Sequence, residues 1–223
     1  MSRFCGDKQV IPLSRGTEGV FRFFIMTIGI YSGSFNPVHK GHVSLCSYLV
    51  KQGIVDQVWL IRSPLNPFKV DTASTLAPDD DREAMLKLAV RGRKGLHVSN
   101  IEDNLPKPNY SINTFHALER KYPQHQFHLI IGADNWLAFD RWRAYDEFLT
   151  RYHLIVYPRP GYEMGEEEQL RLGEEAIRNV RFVDAPLFDI SSTEIRTDIA
   201  SGRQPAMIYR GVYSYIVKHQ LYK

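Results

Sequence analysis

The chain has 223 residues, of which 43% are hydrophobic, 24% charged and 12% aromatic, and its formal net charge is +3. This composition is typical of a globular protein and excludes the disordered, collagen-like and coiled-coil classes. Residues 1–25 hold four basic and two acidic residues, so the other residues carry a net charge of only +1. A nucleic-acid-binding protein needs a clustered basic surface, which this distribution argues against. Two cysteines, Cys5 and Cys46, cannot form a disulfide framework, so we expect a cytoplasmic location.

The N-terminal segment predicts neither a membrane span nor a signal peptide. Its most apolar run, Val20 to Tyr31, is interrupted by Arg22 and is shorter than the roughly 20 residues that a spanning helix needs. No small-x-small cleavage site follows this run, which leads directly into the richest motif of the chain. We therefore predict that residues 1–25 are an extension that is non-core or disordered and that residues 26–223 form a single domain, with Met26 as an alternative start.

From Met26 onward, short apolar runs alternate with segments of helical periodicity. Strands are predicted at Thr27–Tyr31, Gln57–Arg62, Leu96–Ser99, Gln126–Ile131, His153–Tyr157 and Val180–Val183. Helices are predicted at Gly41–Gln52, Asp80–Val90, Ser111–Tyr122, Ala144–Thr150, Glu166–Ile177, Ser191–Ala200 and Gly211–His219, with a capping box of Asp80 and Glu83 at the start of the second. The alternation predicts an α/β fold: a doubly wound parallel sheet with helices on both faces and ligands at the carboxyl ends of its strands.

A phosphate site is predicted between the first strand and the first helix, in the segment Gly-Ser-Phe-Asn-Pro-Val-His-Lys-Gly-His at residues 33–42. Gly33 allows close backbone approach, Ser34 adds a hydroxyl donor, and the helix N-terminus directs free N–H groups outward. His39 and His42 add two imidazoles that can donate hydrogen bonds to a phosphate.

Other interpretations of this segment are a metal site or one of the common nucleotide motifs. Two histidines three residues apart can bind a metal, but no carboxylate or cysteine lies at ligand spacing nearby, and a catalytic zinc site wants three protein ligands. The segment lacks the glycine pattern of a dinucleotide fingerprint, and no G-x-x-x-x-G-K-[ST] occurs in the chain. We therefore predict a nucleotide-binding site that is neither a dinucleotide fingerprint nor a P-loop.

A second motif, Ile-Ser-Ser-Thr-Glu-Ile-Arg, occupies residues 190–196. Ser191 and Glu194 fit a capping box, and taken alone the motif is best explained as an ordinary helix start. Ser192 and Arg196 would also bring a hydroxyl and a guanidinium to one face of a second positive helix end. Two such helix ends in one doubly wound domain could clamp a polyphosphate between them.

Together the two motifs resemble those of the nucleotidyltransferase superfamily, whose H-x-G-H core is shared with class I aminoacyl-tRNA synthetases. Within it the chain is similar, from Met26 to Lys223, to the bacterial nicotinate-nucleotide adenylyltransferases, and this resemblance implies a Rossmann-like fold. Weaker segments that support the narrower family are Asn109–Ser111, Ile130–Asp134, Trp142, Arg159–Gly161, Tyr215–Ile216 and Leu221–Tyr222.

Two departures from the family pattern stand out. Many members open their first motif with Gly-Gly-Thr-Phe-Asp, where this chain has Ser-Gly-Ser-Phe-Asn at residues 32–36. Asparagine keeps the local turn capacity without the charge, so we expect the anion site to survive. Many members also have Pro-Pro-His-Lys where this chain has Asn-Pro-Phe-Lys at residues 66–69, so Lys69 is kept but the histidine is not.

The resemblance implies transfer of AMP from ATP to nicotinate mononucleotide, with Mg²⁺ held by the substrate phosphates and water and by no protein ligand. His42 and His39 are the expected catalytic residues. The residues expected to bind ATP and its phosphates are Gly33, Ser34, Phe35, Lys69, Ser191, Ser192 and Arg196. Those expected to bind the acceptor nucleotide are Tyr110, Ser111, Gly132, Asp134, Trp142 and Arg159. Competing interpretations make Ser111 and Asp134 helix caps and Arg159 a solvated surface residue, and Trp59 and Trp136 are expected to be packing residues.

Several other functions share the same motif pair. The enzyme alternatives are nicotinamide mononucleotide adenylyltransferases, phosphopantetheine adenylyltransferases and cytidylyltransferases. His39 argues against a phosphopantetheine adenylyltransferase. A non-catalytic nucleotide-sensing module is the main alternative from another class. We expect no nucleic-acid partner, because no K-M-S-K-S sequence is present, and no membrane partner. A homo-oligomer stays open.

Overall fold

The computed structural model describes residues 25–64, 76–188 and 190–223. Its six strands form one parallel sheet in the order β3-β2-β1-β4-β5-β6. The strands are β1 (Thr27–Gly33), β2 (Gln57–Arg62), β3 (Leu96–Ser99), β4 (Gln126–Gly132), β5 (His153–Tyr157) and β6 (Val180–Phe182). This order makes β1 and β4 the strands at which the winding direction reverses, and the predicted α/β fold is confirmed.

Helices lie between successive strands, two more follow β6, and together they cover both faces of the sheet. They are α1 (Lys40–Lys51), α2 (Asp79–Val90), α3 (Ser111–Lys121), α4 (Ala133–Trp136), α5 (Tyr145–Arg151), α6 (Glu166–Leu170), α7 (Ser192–Ala200) and α8 (Arg210–Lys218). Short 3₁₀ segments at Ile101–Asn104, Phe139–Arg141 and Ala176–Asn179 complete the connections.

Alternate strand residues bury into two hydrophobic cores, one on each face of the sheet. On β4, Leu129 and Ile131 pack in one core with α3 and α5 side chains such as Phe115 and Phe148. Ile130 packs in the other core, with side chains of α1, α2, α7 and α8. The near-continuous apolar runs of the strands follow from burial on both faces.

Two local expectations were wrong. Asp80 and Glu83 do not form a capping box, because α2 begins one residue earlier, after Pro78, with no side-chain cap. The charged helix expected at Glu166–Ile177 ends at Leu170 as α6, and Gly173 then adopts a left-handed φ of +88°. Within the described residues, no helix is long and apolar enough to cross a membrane.

Candidate active site

The sheet splits between its two central strands at their carboxyl ends. The β1–β4 ladder stops at Ile30 and Leu129, although β1 continues to Gly33 and β4 to Gly132. Over these last residues each strand pairs only with its outer neighbour, β2 or β5. The split opens a crevice at the point where doubly wound sheets bind their ligands.

The loop from β1 to α1 lines one side of this crevice. Phe35 is buried and has a φ of +44°, a left-handed value that side-chain-bearing residues adopt rarely. A Cβ atom at Gly33 would lie 3.3 Å from the Phe35 ring, so glycine lets the loop fold closely over the strand end. The buried Asn36 accepts hydrogen bonds at Oδ1 from the Ala77 N–H at 3.0 Å and from the Tyr222 hydroxyl at 2.7 Å.

His39 and His42 lie together at the start of α1, with their rings stacked 3.7 Å apart. A Cβ atom at Gly41 would lie 3.1 Å from the His39 ring, which explains the glycine between the two histidines. The His39 N–H donates to His42 Nδ1 at 3.2 Å. Because Nδ1 is the acceptor, the proton of the neutral His42 ring lies on Nε2.

His39 is buried, and its surroundings oppose a positive charge. Burial, and then the charge of Arg159, lower the pKa of His39 to about 4. His39 is therefore neutral near pH 7 and can donate a hydrogen bond without carrying charge. The Lys40 N–H already donates to the Met207 carbonyl at 2.9 Å, so α1 presents fewer free amides than the sequence suggested.

The second motif docks directly onto the first. The Ser192 hydroxyl donates to the Pro37 carbonyl at 3.0 Å, and Arg196 Nη1 donates to the Asn36 carbonyl at 2.8 Å. Two hydrogen bonds between groups 155 and 160 residues apart in sequence thus place the N-terminus of α7 beside that of α1.

The predicted capping box of α7 is confirmed. The Glu194 N–H donates to Ser191 Oγ at 3.1 Å, and the Ser191 N–H donates to Glu194 Oε2 at 2.7 Å. This cap uses one amide of the helix end and adds a carboxylate, so α7 is a weaker anion site than an uncapped helix. The cationic group of this motif is Arg196, whose two hydrogen bonds to described residues use two of its five donors.

Gly132 ends β4 on the other side of the crevice. A Cβ atom there would lie 2.8 Å from Cγ and Cδ of Arg159 and closer still to the Asp134 carboxylate. The missing side chain therefore lets the stem of Arg159 cross the strand end. Arg159 is not simply solvated: its Nε lies 3.7 Å from Asp134 Oδ1.

Asp134 is the second residue of α4, whose N-cap is Gly132, so it is not the cap of that helix. Its Oδ1 is buried and accepts no hydrogen bond from any side chain or backbone group that the structure describes. A buried carboxylate oxygen without a donor is costly in the free protein and is suited to a hydroxyl of a ligand.

The expected pyridine-binding residues lie around the start of α3. Tyr110 is the N-cap and Ser111 the first helical residue, and no side chain caps this helix. The Arg143 guanidinium lies 4.8 Å above the centre of the Tyr110 ring, and the neighbouring Trp142 packs 5.3 Å from Phe139, between ring centres. One aromatic region thus contains three of the residues expected to bind the acceptor nucleotide: Tyr110, Ser111 and Trp142. Trp136 is fully buried, as expected of a packing residue.

Three polar residues of the site were missed by the sequence analysis. Tyr31 and Tyr157 join their hydroxyls across the crevice at 3.1 Å. Buried Glu102 accepts hydrogen bonds from Ser32 at 3.2 Å and Thr114 at 3.0 Å, which ties the end of β1 to α3. Burial raises the pKa of Glu102. Their positions at or just after the carboxyl ends of predicted strands were the available signal.

Lys69, expected to bind phosphate, lies outside the described residues. In the described ranges no three His, Cys, Asp or Glu side chains converge as a metal-binding group. The remaining expected residues therefore form two sets, one at the facing ends of α1 and α7 and one around Gly132 and α3. The fold and this site define an α/β protein built to hold a nucleotide at its switch point.

Comparison with known proteins agrees with that class. Residues 30–198 match the family model described as cytidylyltransferase-like. A Bacteroides fragilis protein named probable nicotinate-nucleotide adenylyltransferase is 40% identical over 191 residues, which cover 85% of this chain and 90% of that protein. A Porphyromonas gingivalis protein of the same name is 43% identical over 178 residues, covering 80% and 86%. The chain therefore belongs to the nicotinate-nucleotide adenylyltransferase family, and the resemblance found in its motifs is confirmed.

Solved structures agree on the fold. The Plasmodium falciparum nicotinic acid mononucleotide adenylyltransferase complexed with NaAD superposes with a TM-score of 0.72 at 16% identity, covering 88% of this chain and 97% of that one.

Proposed function

We propose that this chain is a nicotinate-nucleotide adenylyltransferase, which moves AMP from ATP to nicotinate mononucleotide and releases deamido-NAD and pyrophosphate, a step of NAD biosynthesis. The observation that carries the proposal is the docking of α7 onto the β1–α1 loop through Ser192 and Arg196. This contact lies at the switch point of the sheet, in a chain that belongs to this family. Because a sequence with only two cysteines cannot form a disulfide framework, we place this activity in the cytoplasm.

The attacking group is a phosphate oxygen, which is already anionic near neutral pH. The protein therefore needs no nucleophile of its own, and its contribution is positioning and electrostatic stabilisation of an in-line displacement. In the proposal, the Nε2–H of His42 donates to the α-phosphate as charge develops, and neutral His39 supports it from the adjacent stacked ring. Gly33, Ser34 and Phe35 allow close approach of the phosphates, while Ser191, Ser192 and Arg196 border them from α7.

The acceptor nucleotide takes the other side of the crevice. Oδ1 of Asp134, which receives no hydrogen bond from the described residues, accepts from a ribose hydroxyl, and Arg159 beside Gly132 reaches its phosphate. Trp142 stacks on the pyridine ring, with Tyr110 and Ser111 at the uncapped end of α3 facing its carboxylate. Mg²⁺ would arrive bound to ATP, held by phosphate oxygens and water, and would neutralise charge on the polyphosphate.

Pyrophosphate release is the direct test. The purified chain is supplied with Mg-ATP and, in parallel, nicotinate mononucleotide, nicotinamide mononucleotide or phosphopantetheine. We expect strong preference for the nicotinate compound. Preference for another acceptor would overturn the acceptor assignment, and ATP binding without release on any acceptor would favour a nucleotide-sensing module.

A further inference from the structure

Arg82 on α2 is a fully buried cation, with 0% of its side chain exposed. It belongs to neither motif, and the proposed mechanism does not use it. A charge of this kind is costly to bury unless it is paired and its donors are satisfied. Its partners therefore show what the fold gains from it.

The Arg82 guanidinium joins three separate backbone segments. Its Nη1 donates to the carbonyls of Ser34 at 2.7 Å and Ser63 at 3.0 Å, and its Nε donates to the Ala77 carbonyl at 3.0 Å. Its Nη2 donates to the Asp79 carboxylate. Because the guanidinium is planar and its donors are fixed in direction, these bonds set the loop after β1, the end of β2 and the start of α2 relative to one another.

The bond to Ser34 also orients the next amide. In a planar trans peptide the C=O and N–H groups point in opposite directions. The Ser34 carbonyl points inward to Arg82, so the N–H of Phe35 points away from α2. Phe35 itself holds a left-handed φ of +44°, a conformation that persists only where surrounding contacts hold it.

We propose that Arg82 is a positioning residue for ATP, which holds the Ser34–Phe35 peptide so that the Phe35 N–H donates to a phosphate of the bound nucleotide. Arg82 does not touch the substrate and acts only through the Ser34 carbonyl. This inference rests on the proposed function and deepens it by assigning a backbone donor to the ATP side of the site.

The test compares two buried arginines in the full chain. A lysine at position 82 cannot reproduce the directed bonds of a guanidinium, so Arg82→Lys should raise the KM for ATP about tenfold or more while leaving the KM for nicotinate mononucleotide within about twofold. The matched control is Arg62→Lys. Arg62 is 4% exposed and shares Asp79, but its ion pairs are to Asp79 and Asp103. We expect Arg62→Lys to lower the Tm with no selective change in the KM for ATP.

The proposal is overturned if Arg82→Lys lowers the Tm but shifts both KM values equally, or neither. If Arg82→Lys does not fold, the Phe35 amide resonance of the ¹⁵N-labelled unaltered chain provides the test: it should shift when Mg-ATP is added, and an unmoved resonance overturns the proposal. The proposed function and the role of Arg82 are tested separately. If the unaltered chain releases no pyrophosphate, the proposed function is overturned. The Phe35 amide measurement then still tests the role of Arg82.

Discussion

The hydroxyl of Tyr222 donates a hydrogen bond to Oδ1 of Asn36 at 2.7 Å. The second-to-last residue of the chain thus contacts the loop that precedes the two histidines. Asn36 Oδ1 also accepts from Ala77, so both of these partners are donors. Either a carboxylate or an amide oxygen can accept from them, which explains how asparagine can stand where many family members have aspartate.

Replacing Tyr222 with phenylalanine should remove this bond and keep the ring. We expect Tyr222→Phe to lower the free energy of unfolding by about 1 kcal/mol, because the buried Asn36 oxygen loses the Tyr222 hydroxyl as a hydrogen-bond donor. Urea denaturation measures the change. Tyr162→Phe, at an exposed site, is the control and should change nothing; equal loss in both variants would show that the Asn36 bond contributes no stability.

His42→Ala should keep the fold and lower kcat by about two orders of magnitude, because one preorganised donor to the transition state is lost. Steady-state pyrophosphate release and a thermal melt measure the two effects. His116→Ala is the control, since His116 pairs with Glu147 on α5, outside the site. An unchanged kcat in His42→Ala would remove this residue from the mechanism.

Gly132→Ala should place a methyl group where the Arg159 stem and the Asp134 carboxylate now lie. We expect a loss of about 1–3 kcal/mol of stability from overpacking. Displacement of both side chains should raise the KM for nicotinate mononucleotide about tenfold or more.

Gly211→Ala is the matched control for Gly132→Ala. A Cβ atom at Gly211, on helix α8, would meet nothing within 4 Å. We expect up to about 1 kcal/mol of added stability from the better helix former and unchanged kinetics. If Gly132→Ala matches Gly211→Ala in stability and kinetics, the end of β4 is not crowded at Gly132.

His128 makes stability depend on pH. Burial, and then the neighbouring His153, lower the pKa of His128 to about 4, whereas the unfolded chain has the ordinary value of 6.5. Below pH 6.5 the unfolded state binds more protons, so stability is full above that value and falls as pH drops toward 4.

We expect His128→Asn to reduce the loss of unfolding free energy between pH 7 and pH 5 by about 1–2 kcal/mol. Chemical denaturation at the two pH values measures this difference. His97→Asn, on the exposed edge of the sheet, is the control. A pH dependence that is the same in His128→Asn and the unaltered chain would show that His128 is not the group responsible.

Deleting residues 1–25 should leave both Tm and kcat/KM unchanged. Ile25 is 70% exposed, and among the residues that the structure describes the first fully buried one is Ile28. Thermal melts and pyrophosphate release of the truncated chain test this. An insoluble or inactive truncation would show that the segment belongs to the folded unit.

The strands were the most predictable part of the fold. Three strands have the predicted bounds: Gln57–Arg62, Leu96–Ser99 and His153–Tyr157. Each is a short apolar run bounded by turn residues or helix ends. The helix at Glu166 was predicted too long, since charge spacing alone does not show that Gly173 adopts a left-handed φ.

The two phosphate-side motifs were visible because helix capping and glycine spacing are local in sequence. The contacts of Arg82, Glu102 and the Tyr31–Tyr157 pair depend on which strands become neighbours, and no local pattern encodes that. Asp134 was found from its place after a strand, but only the surrounding packing shows that its Oδ1 receives no hydrogen bond from the part of the chain that the structure describes.

Three hydrogen bonds join the β1–α1 loop to residues far along the chain. They span 155 residues from Ser192, 160 from Arg196 and 186 from Tyr222. During synthesis, β1 and α1 leave the ribosome long before these partners exist. Contacts of such separation form late, because the intervening chain must first be ordered. A nascent chain that stops before α7 can therefore bury much of its sheet but cannot complete the nucleotide loop. Activity should therefore appear only after α7 and Tyr222 have left the ribosome.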